Sequence, residues 1–218
     1  MAALAGTVVV LLGIRYAGAG EPGVLDTRIQ AGVEGVGPPW RSLALAMDFL
    51  GEPVGAATLV GVMVAGCLLL RRPRGAVFLV AGVGLAVGAA TVLKHLVGRT
   101  IHDGHLSYPS GHTAFLTALA LTVAMLATHR RGREGLPGPG LGRTAGAVIV
   151  LTAALVAGAA MGWAQVALGA HYPTDVLGGW CTALAVIPAT AWLVDRTADR
   201  LADRRADQPA DVGRLEGR

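Results

Sequence analysis

The sequence predicts an all-α integral membrane protein, a bundle of six transmembrane helices with both termini in the cytoplasm. Three observations lead to this prediction. The 218 residues are 53% hydrophobic and only 15% charged, whereas soluble domains carry about 25% charged residues. The charged residues are clustered, so that long neutral segments lie between them. The chain also has 32 glycines and many alanines, and such small residues let membrane helices pack closely.

The six predicted helices are the apolar segments 2–16, 54–70, 75–97, 113–128, 144–168 and 176–194. A helix satisfies its own backbone hydrogen bonds inside lipid. A span needs about 20 residues, with about 17 tolerated, so the first and fourth segments need flanking residues to cross a bilayer. The small residues at positions 17–19 leave open a cleaved signal peptide over residues 1–20. Since no basic residue precedes the apolar segment, we expect a membrane helix there.

Arginine placement predicts the orientation of the bundle. Arginines cluster between the second and third segments, between the fourth and fifth, and after the sixth. With six spans these regions lie on one side, and the positive-inside rule makes that side the cytoplasm, together with both termini. The segments 17–53, 98–112 and 169–175 then face outward. Within the first of them, the apolar stretch 40–50 is expected to lie along the membrane interface.

The membrane domain is expected to span residues 1–195, followed by a charged, disordered cytoplasmic tail over residues 196–218. Cys67 and Cys181 lie inside apolar segments, which indicates small buried hydrophobic residues and neither a disulfide nor a metal site. The net charge of +4 is explained by the arginines beside the apolar segments. Membrane lipids are therefore expected partners, and nucleic acid is not.

Polar residues lie at three helix ends that face outward together. They are Lys94 and Arg99 at the end of the third helix, Ser110 and His112 at the start of the fourth, and His171 and Asp175 at the start of the sixth. Antiparallel packing brings these ends to one membrane face. Because ionisable residues at membrane depth are costly, three such groups on one face indicate a functional site.

The start of the fourth helix suits a phosphate group. A helix N-terminus presents free N–H groups and a partial positive charge. In the sequence Pro-Ser-Gly-His, Gly111 lets the backbone approach a ligand closely, Ser110 adds a hydroxyl group, and Lys94 supplies a positive charge. These residues predict an anion-binding cradle.

The two histidines suit phosphoryl transfer. His171 and Asp175 are four residues apart, so a helical start places them on one face. A carboxylate that holds one ring nitrogen makes the other nitrogen a better nucleophile or base. His112 is then placed to protonate a leaving oxygen. The combination predicts phosphoryl transfer through a phosphohistidine.

These residues resemble the three signature motifs of the type 2 phosphatidic acid phosphatase (PAP2) superfamily. The match consists of Lys94, the run Tyr-Pro-Ser-Gly-His ending at His112, and the run Gly-Ala-His-Tyr-Pro-Thr-Asp ending at Asp175. The resemblance implies cofactor-free, metal-independent removal of phosphate from lipid phosphates or diphosphates. It also implies that His171 is the nucleophile, Asp175 its orienting partner and His112 the general acid. By the same resemblance Lys94, Ser110 and Gly111 hold the phosphate.

Two positions depart from the pattern that the resemblance implies. Phosphate-binding arginines are expected at positions 101 and 165, which are Ile101 and Gln165 here. Loss of a charged, bidentate donor weakens phosphate binding and transition-state stabilisation. Arg99, His102 and His105 lie nearby in the sequence and are candidates to replace the missing charge, and Gln165 still offers a neutral donor.

Six further residues have auxiliary or open roles. His102 and His105, with Asp103, have a spacing that suits zinc, although we expect no bound metal. Tyr108 is expected either to line the pocket or to anchor at the membrane interface. Asp48 and Glu52 are expected to form the rim of the first outer segment.

Two functions remain open from sequence. The first is a phosphatase of the cell membrane, with its site on the extracytoplasmic side and a lipid phosphate or diphosphate as substrate. The substrate options are a polyprenyl phosphate or diphosphate carrier, phosphatidic acid, phosphatidylglycerol phosphate and a phosphorylated lipid-linked sugar. A polyprenyl carrier is favoured because an outward site suits carrier recycling. The second is a non-catalytic protein that binds an anionic lipid headgroup or acts in a membrane complex. We expect a cation from Arg99 or His105 at the Ser110–Gly111 cradle if the protein is an enzyme.

Overall fold

The computed structural model describes residues 1–102, 104–128 and 143–206, which form eight helices and one short β-hairpin. The helices are α1 Ala2–Arg15, α2 Val24–Val33, α3 Trp40–Gly51, α4 Pro53–Leu69, α5 Pro73–Val97, α6 Gly111–Thr128, α7 Arg143–Ala167 and α8 Pro173–Ala206. The hairpin pairs β1 Thr100–Ile101 with β2 His105–Leu106 in antiparallel register. All six predicted apolar segments are helical, as α1 and α4 to α8, which confirms the all-α class.

Local sequence signals explain where these helices begin and end. Proline occupies the first position of α4, α5 and α8, where its missing N–H costs nothing. Gly98 ends α5 in the left-handed conformation, with φ of 63°, which glycine adopts without a steric penalty. The sharp end of α5 directs the chain into the hairpin that leads to α6.

By length and composition, the described helices supply four or five candidate membrane spans where the sequence predicted six. Four of the described helices, α5 to α8, are long and apolar enough to cross a membrane. The helices α3 and α4 meet at a bend of 65° and together form one further candidate span. The 14 residues of α1 extend over only about 21 Å at 1.5 Å per residue, which is short for a bilayer. The chain is a multi-pass membrane protein, while the six-span count and the cytoplasmic termini stay predictions.

Small residues bring the helices together, as their abundance indicates. The central core contains Leu79 and Ala86 of α5, Phe115 of α6 and Ile187 of α8. A Cβ atom added to Gly158 of α7 would collide with the ring of Trp180 on α8. Such close approach increases dispersion contacts, which drive helix association where lipid offers no hydrophobic effect.

Helix α1 is packed into the bundle. Its Ala5 and Val9 are buried against Cys181 of α8. Cys67 and Cys181 are both free cysteines. Helix α3, predicted to lie along the interface, packs its Ala44 against Ala164 and Ala167 of α7.

Helix α8 continues beyond the predicted end of the membrane domain. It has 34 residues and reaches Ala206, so residues 196–206 are helical where we expected a disordered tail. Alanine and arginine, which recur in this stretch, have high helix propensity, and a preceding span supplies the nucleus that an isolated helix lacks. Residues 207–218 and the loop 129–142 lie outside the described residues, so the remaining tail prediction and the domain division stay predictions.

One end of the bundle, which we call the site end, collects the predicted functional groups. It is formed by the C-terminal ends of α5 and α7 and the N-terminal ends of α6 and α8. Arg71 and Arg72 lie between α4 and α5 and Arg74 lies in the first turn of α5, so this cluster is at the opposite end. This separation agrees with an outward-facing site under the positive-inside rule, although the side of the membrane stays a prediction.

Candidate active site

The N-termini of α6 and α8 are in direct contact at the site end. The backbone N–H of Ser110 donates a 2.9 Å hydrogen bond to the carbonyl oxygen of Asp175. Gly179, one turn into α8, packs against the Ser110 carbonyl so closely that a Cβ atom would collide with it. The two motifs that the sequence singled out are therefore adjacent in space.

The start of α6 has a geometry that suits the predicted cradle. Ser110 is fully buried, and its Oγ accepts hydrogen bonds from the N–H of Thr113 at 3.3 Å and the hydroxyl of Thr113 at 3.1 Å. Ser110 is thus the N-cap of α6, and its own hydroxyl proton remains to be donated. A Cβ atom on Gly111 would meet no protein atom within 4 Å. Open space therefore lies beside the helix N-terminus, where an anion is favoured.

His171 is held in a dry environment. The residue is 6% exposed, and its Nδ1 lies 3.8 Å from Asp175 Oδ2, beyond hydrogen-bonding distance. Burial lowers the pKa of the His171 imidazole below its ordinary value; the positive charge of Lys94 also lowers it, and the Asp175 carboxylate acts in the opposite direction. The neutral ring that results is the form that carries a nucleophilic lone pair.

Lys94 lies at the same end of the bundle as His171 and the start of α6. It lies in the last turn of α5, and its Nζ donates a 3.1 Å hydrogen bond to the carbonyl oxygen of Leu106 in the hairpin. The positive charge of Lys94 lowers the pKa of His171, which agrees with the placement of the two residues at one end of the bundle. The structure therefore brings Lys94, His171 and the start of α6 to the same end of the bundle.

Arg99, one of the three replacements for the missing charge that the sequence suggested, binds carboxylates of the protein instead of facing the phosphate cradle. The residue is fully buried. Its Nη1 donates to Asp175 Oδ1 at 2.6 Å and its Nη2 to Asp26 Oδ2 at 2.7 Å. Both terminal nitrogens therefore already bind carboxylates of the protein, while Nε is buried without a hydrogen-bond partner among the described residues. Position 101, where an arginine was expected, is the buried side chain of Ile101.

Two carboxylates that we placed on the rim lie beside His112 instead. His112 Nε2 is 3.5 Å from Asp48 Oδ1 and 3.8 Å from Glu52 Oε1. Gln165 is buried, and its Nε2 donates a 2.7 Å hydrogen bond to the same Asp48 oxygen. The break between α3 and α4 at residue 52 aims both carboxylates at the start of α6. The one sequence signal was a pair of acids four residues apart directly before Pro53.

The group Asp48, Glu52 and His112 also has the geometry of a metal site. One ligand atom from each residue lies within 4.8 Å of the others, and carboxylate and imidazole are ordinary ligands for divalent metals. By contrast, His102 and His105 are exposed on the hairpin, and His105 Nδ1 faces the His102 carbonyl oxygen at 3.0 Å. Asp103 lies outside the described residues.

Tyr108 has a packing role that neither sequence interpretation foresaw. The residue is fully buried, and its hydroxyl donates a 2.7 Å hydrogen bond to the carbonyl oxygen of Val9 in α1. Its ring packs against Gly178, where a Cβ atom would collide with it. Tyr108 therefore joins α1, α8 and the loop before α6, and it does not line the cradle.

Comparison with known proteins supports the resemblance drawn from the motifs. The family model described as the PAP2 superfamily matches residues 75–199. A decaprenylphosphoryl-5-phosphoribose phosphatase from Mycolicibacterium smegmatis is 31% identical over 182 residues, which is 78% of this chain and 79% of that protein. A crystal structure of a transmembrane PAP2 type phosphatidylglycerolphosphate phosphatase from Bacillus subtilis is similar in fold. Its TM-score is 0.68 at 20% identity, covering 91% of this chain and 96% of that one.

Proposed function

The chain belongs to the PAP2 superfamily and is a membrane phosphatase of the PAP2 type, and from this premise we propose that it hydrolyses a polyprenyl-linked phosphate ester through a phosphohistidine at His171. The observation that carries the proposal is the contact between the starts of α6 and α8. This contact supports the proposal because it joins the segment that carries the buried His171 to a helix N-terminus with open space at Gly111.

In the first step the His171 Nε2 lone pair attacks phosphorus. A P–N bond forms as the P–O bond to the leaving group breaks, and His112 donates a proton to the departing oxygen. In the second step water attacks the phosphohistidine, His112 takes the proton of that water, and inorganic phosphate leaves as His171 is regenerated. The Asp175 carboxylate stabilises the positive charge that the ring of His171 carries while it is phosphorylated.

The site offers few full positive charges to the transferred phosphoryl group. We assign it to Lys94, to the hydroxyl of Ser110 and to the backbone N–H groups at the start of α6, where charge that develops on the oxygens is stabilised without reorganisation. Gln165 binds Asp48, so its amide reaches the substrate only through that carboxylate. The site is therefore suited to a single phosphoryl group.

The carboxylates beside His112 favour one kind of leaving group. Asp48 and Glu52 lie next to the proposed general acid, where a second phosphate of a diphosphate would be repelled. Sugar hydroxyls, which donate hydrogen bonds to carboxylates, suit this position. The 31% identical relative is named as a phosphatase of a lipid-linked phosphoribose. Among polyprenyl substrates we therefore propose a lipid-linked sugar phosphate over a polyprenyl diphosphate, with its site on the extracytoplasmic side.

A binding protein is the second candidate, and one observation favours it. Within the described residues neither Arg99 nor His105 contacts the Ser110–Gly111 cradle; Arg99 binds Asp26 and Asp175, and His105 is exposed. A site without arginine binds a phosphate more weakly and stabilises its transition state less. Such a protein would hold an anionic headgroup without turnover.

The test is phosphate release by the purified, detergent-solubilised protein in EDTA. The panel contains a polyprenyl-linked sugar phosphate, a polyprenyl diphosphate, phosphatidic acid and phosphatidylglycerol phosphate. We expect release from the sugar phosphate above all, with a loss of at least about 10,000-fold in His171→Ala. The matched control is His95→Ala, since His95 is exposed on α5 and its Nδ1 faces the Thr91 carbonyl oxygen.

Each contrary result has a distinct meaning. Release that EDTA abolishes contradicts metal-free chemistry and points to a metal at Asp48, Glu52 and His112. A preference for the diphosphate contradicts the proposed substrate class. Headgroup binding by a folded protein that releases no phosphate from any substrate supports the binding candidate.

A further inference from the structure

We propose that Asp26 and Arg99 are a buried positioning pair for Asp175, in which Arg99 holds one carboxylate oxygen of Asp175 so that the other faces His171, and Asp26 holds Arg99 in place. The proposal rests on the proposed function, because it assigns a role within the His171–Asp175 pair. Asp26 belongs to α2 and lies outside the residues 75–199 that the family model matches.

Both terminal nitrogens of Arg99 are bound, while its Nε is buried without a hydrogen-bond partner among the described residues. In the plane of the guanidinium, Nη1 binds Asp175 Oδ1 at 2.6 Å and Thr174 Oγ1 at 2.7 Å, and Nη2 binds Asp26 Oδ2 at 2.7 Å. On its two faces, the rings of Tyr16 and Tyr172 have centroids 4.0 and 4.4 Å from Cζ. A planar, stacked guanidinium with bound carboxylates has little rotational freedom.

Asp26 is equally constrained. Its Oδ2 accepts hydrogen bonds from Arg99, from the Thr174 hydroxyl at 3.0 Å and from the Gly23 N–H at 3.0 Å, and its Oδ1 accepts the Thr174 N–H at 2.9 Å. Thr174 is the second residue of α8, so Asp26 satisfies a free N–H at the start of that helix. Although burial opposes ionisation, the donors of Arg99, Thr174 and Gly23 hold the pKa of Asp26 below its ordinary value.

The two carboxylate oxygens of Asp175 have different neighbours. Oδ1 is occupied by Arg99. Oδ2 accepts the Tyr172 N–H at 3.1 Å and is the oxygen that lies 3.8 Å from His171 Nδ1. If Arg99 is released, Oδ1 loses its partner and the carboxylate can rotate away from the ring. The orientation of Asp175 toward His171 therefore depends on the position of Arg99.

Charge explains why Arg99 needs Asp26 as well as Asp175. An Arg99 bound to Asp175 alone would have an unpaired Nη2 in the protein interior, and buried polar groups without partners are costly. An Arg99 bound to Asp175 alone would also neutralise the Asp175 carboxylate more completely. With Asp26 present, one guanidinium is shared by two carboxylates, which leaves net negative charge on the side that faces His171.

The closing experiment measures kcat and KM of the Asp26→Asn variant, which keeps the shape of the side chain and removes its charge. We expect kcat to fall about 10- to 100-fold, as for a displacement of about 1 Å at a reacting group, while KM changes less than about threefold. The matched control is Glu21→Gln. It makes the same charge change at an exposed residue of the same outer segment and is expected to leave kcat unchanged. Thermal unfolding of each variant reports whether it is folded.

A double-mutant cycle separates positioning from general structural support. If Asp26 acts through Asp175, then Asp26→Asn adds little to the loss that Asp175→Asn already causes. Equal factors in the two backgrounds overturn the proposal. If Asp26→Asn does not fold, Thr174→Val takes its place in the cycle, because it removes the hydroxyl that links Arg99 to Asp26 and keeps the backbone N–H.

A second readout does not need turnover. In protein with ¹⁵N-labelled histidine, we expect the His171 ring resonances to shift in Asp26→Asn and to stay unchanged in Glu21→Gln. Unshifted resonances in Asp26→Asn overturn the pair even if the wild-type protein is an active phosphatase. Shifted resonances in a protein that releases no phosphate keep the pair and overturn the proposed function, so the two failures are distinguishable.

Discussion

The two histidines of the site have carboxylates of different kinds beside them. Asp175, beside His171, is fully buried and bound by Arg99 and by the N–H of Tyr172. Asp48 and Glu52, beside His112, are 27% and 53% exposed, and both lie too far from Nε2 for a hydrogen bond. The side of His171, our proposed nucleophile, is therefore preorganised by hydrogen bonds, whereas His112, our proposed general acid, has partly exposed carboxylates beside it and no hydrogen-bond partner on Nε2 among the described residues.

This difference fits the roles that we propose. A nucleophile gains from a fixed orientation and a dry environment. A general acid must meet leaving groups that enter and depart, and its contacts tighten only when substrate is present. The comparison predicts that variants on the buried side reduce the rate for every substrate, while variants on the open side depend on the leaving group.

The largest expected effect tests the buried side. Asp175→Asn keeps the volume of the side chain but removes the charge that orients and stabilises His171, so we expect kcat to fall about 10,000-fold. The loss should be the same for lipid and soluble phosphate esters, since both use the same nucleophile. Steady-state kinetics on the two classes checks this. A loss confined to lipid substrates would place Asp175 in substrate binding. That result would contradict the proposed difference between the carboxylates beside His171 and those beside His112.

A smaller, selective effect tests the open side. We expect His112→Gln to lower kcat about 100- to 10,000-fold on a lipid phosphate, the usual contribution of general acid catalysis. On p-nitrophenyl phosphate, whose leaving group departs without a proton, phosphorylation of the enzyme should slow by less than about tenfold. A stopped-flow burst of p-nitrophenol measures that step.

His95→Gln is the control for this prediction, because His95 is an exposed residue of α5. If His112→Gln slows the burst as much as it slows lipid turnover, then His112 binds the phosphoryl group instead of protonating the leaving oxygen.

The smallest expected effect is a lowered pKa of His171 in a titration. Because burial lowers the pKa of His171, its folded-state pKa lies below the ordinary value of about 6.5. The neutral nucleophile therefore persists below that pH and is lost only as the pH falls through the lowered value. NMR titration of ¹³C-labelled histidine, with His171→Ala to assign the resonance, measures the midpoint. A midpoint at or above about 6.5 would show that the ring of His171 is hydrated and not held dry.

The sequence predicted those features that depend on local composition and short spacing. Each apolar segment became a helix because its residues must satisfy their backbone hydrogen bonds within the segment. The cradle at Ser110 and Gly111 could be predicted because consecutive residues signal the start of the helix. The closeness of His171 and Asp175 followed from a spacing of four residues. Antiparallel connection of α5 to α8 then brought these motifs to one end.

The direction of each long polar side chain was decided by tertiary packing. Arg99 was expected at the cradle, but it turns toward Asp26 and Asp175, which are 73 and 76 residues away in the chain. Gln165 was expected to face phosphate, but it binds Asp48, which is 117 residues away. No local pattern encodes such a partner, because it depends on which faces of distant helices meet.

By itself, therefore, the sequence determined the membrane class, the helices and the two histidine motifs, since those depend on hydrophobicity and on neighbours within one helical turn. Only the tertiary structure decided that α2 and the break between α3 and α4 contribute acids to the site. A buried charged side chain pairs with the group that packing brings within reach. The free-energy cost of leaving that charge unpaired away from water exceeds the differences between local conformations.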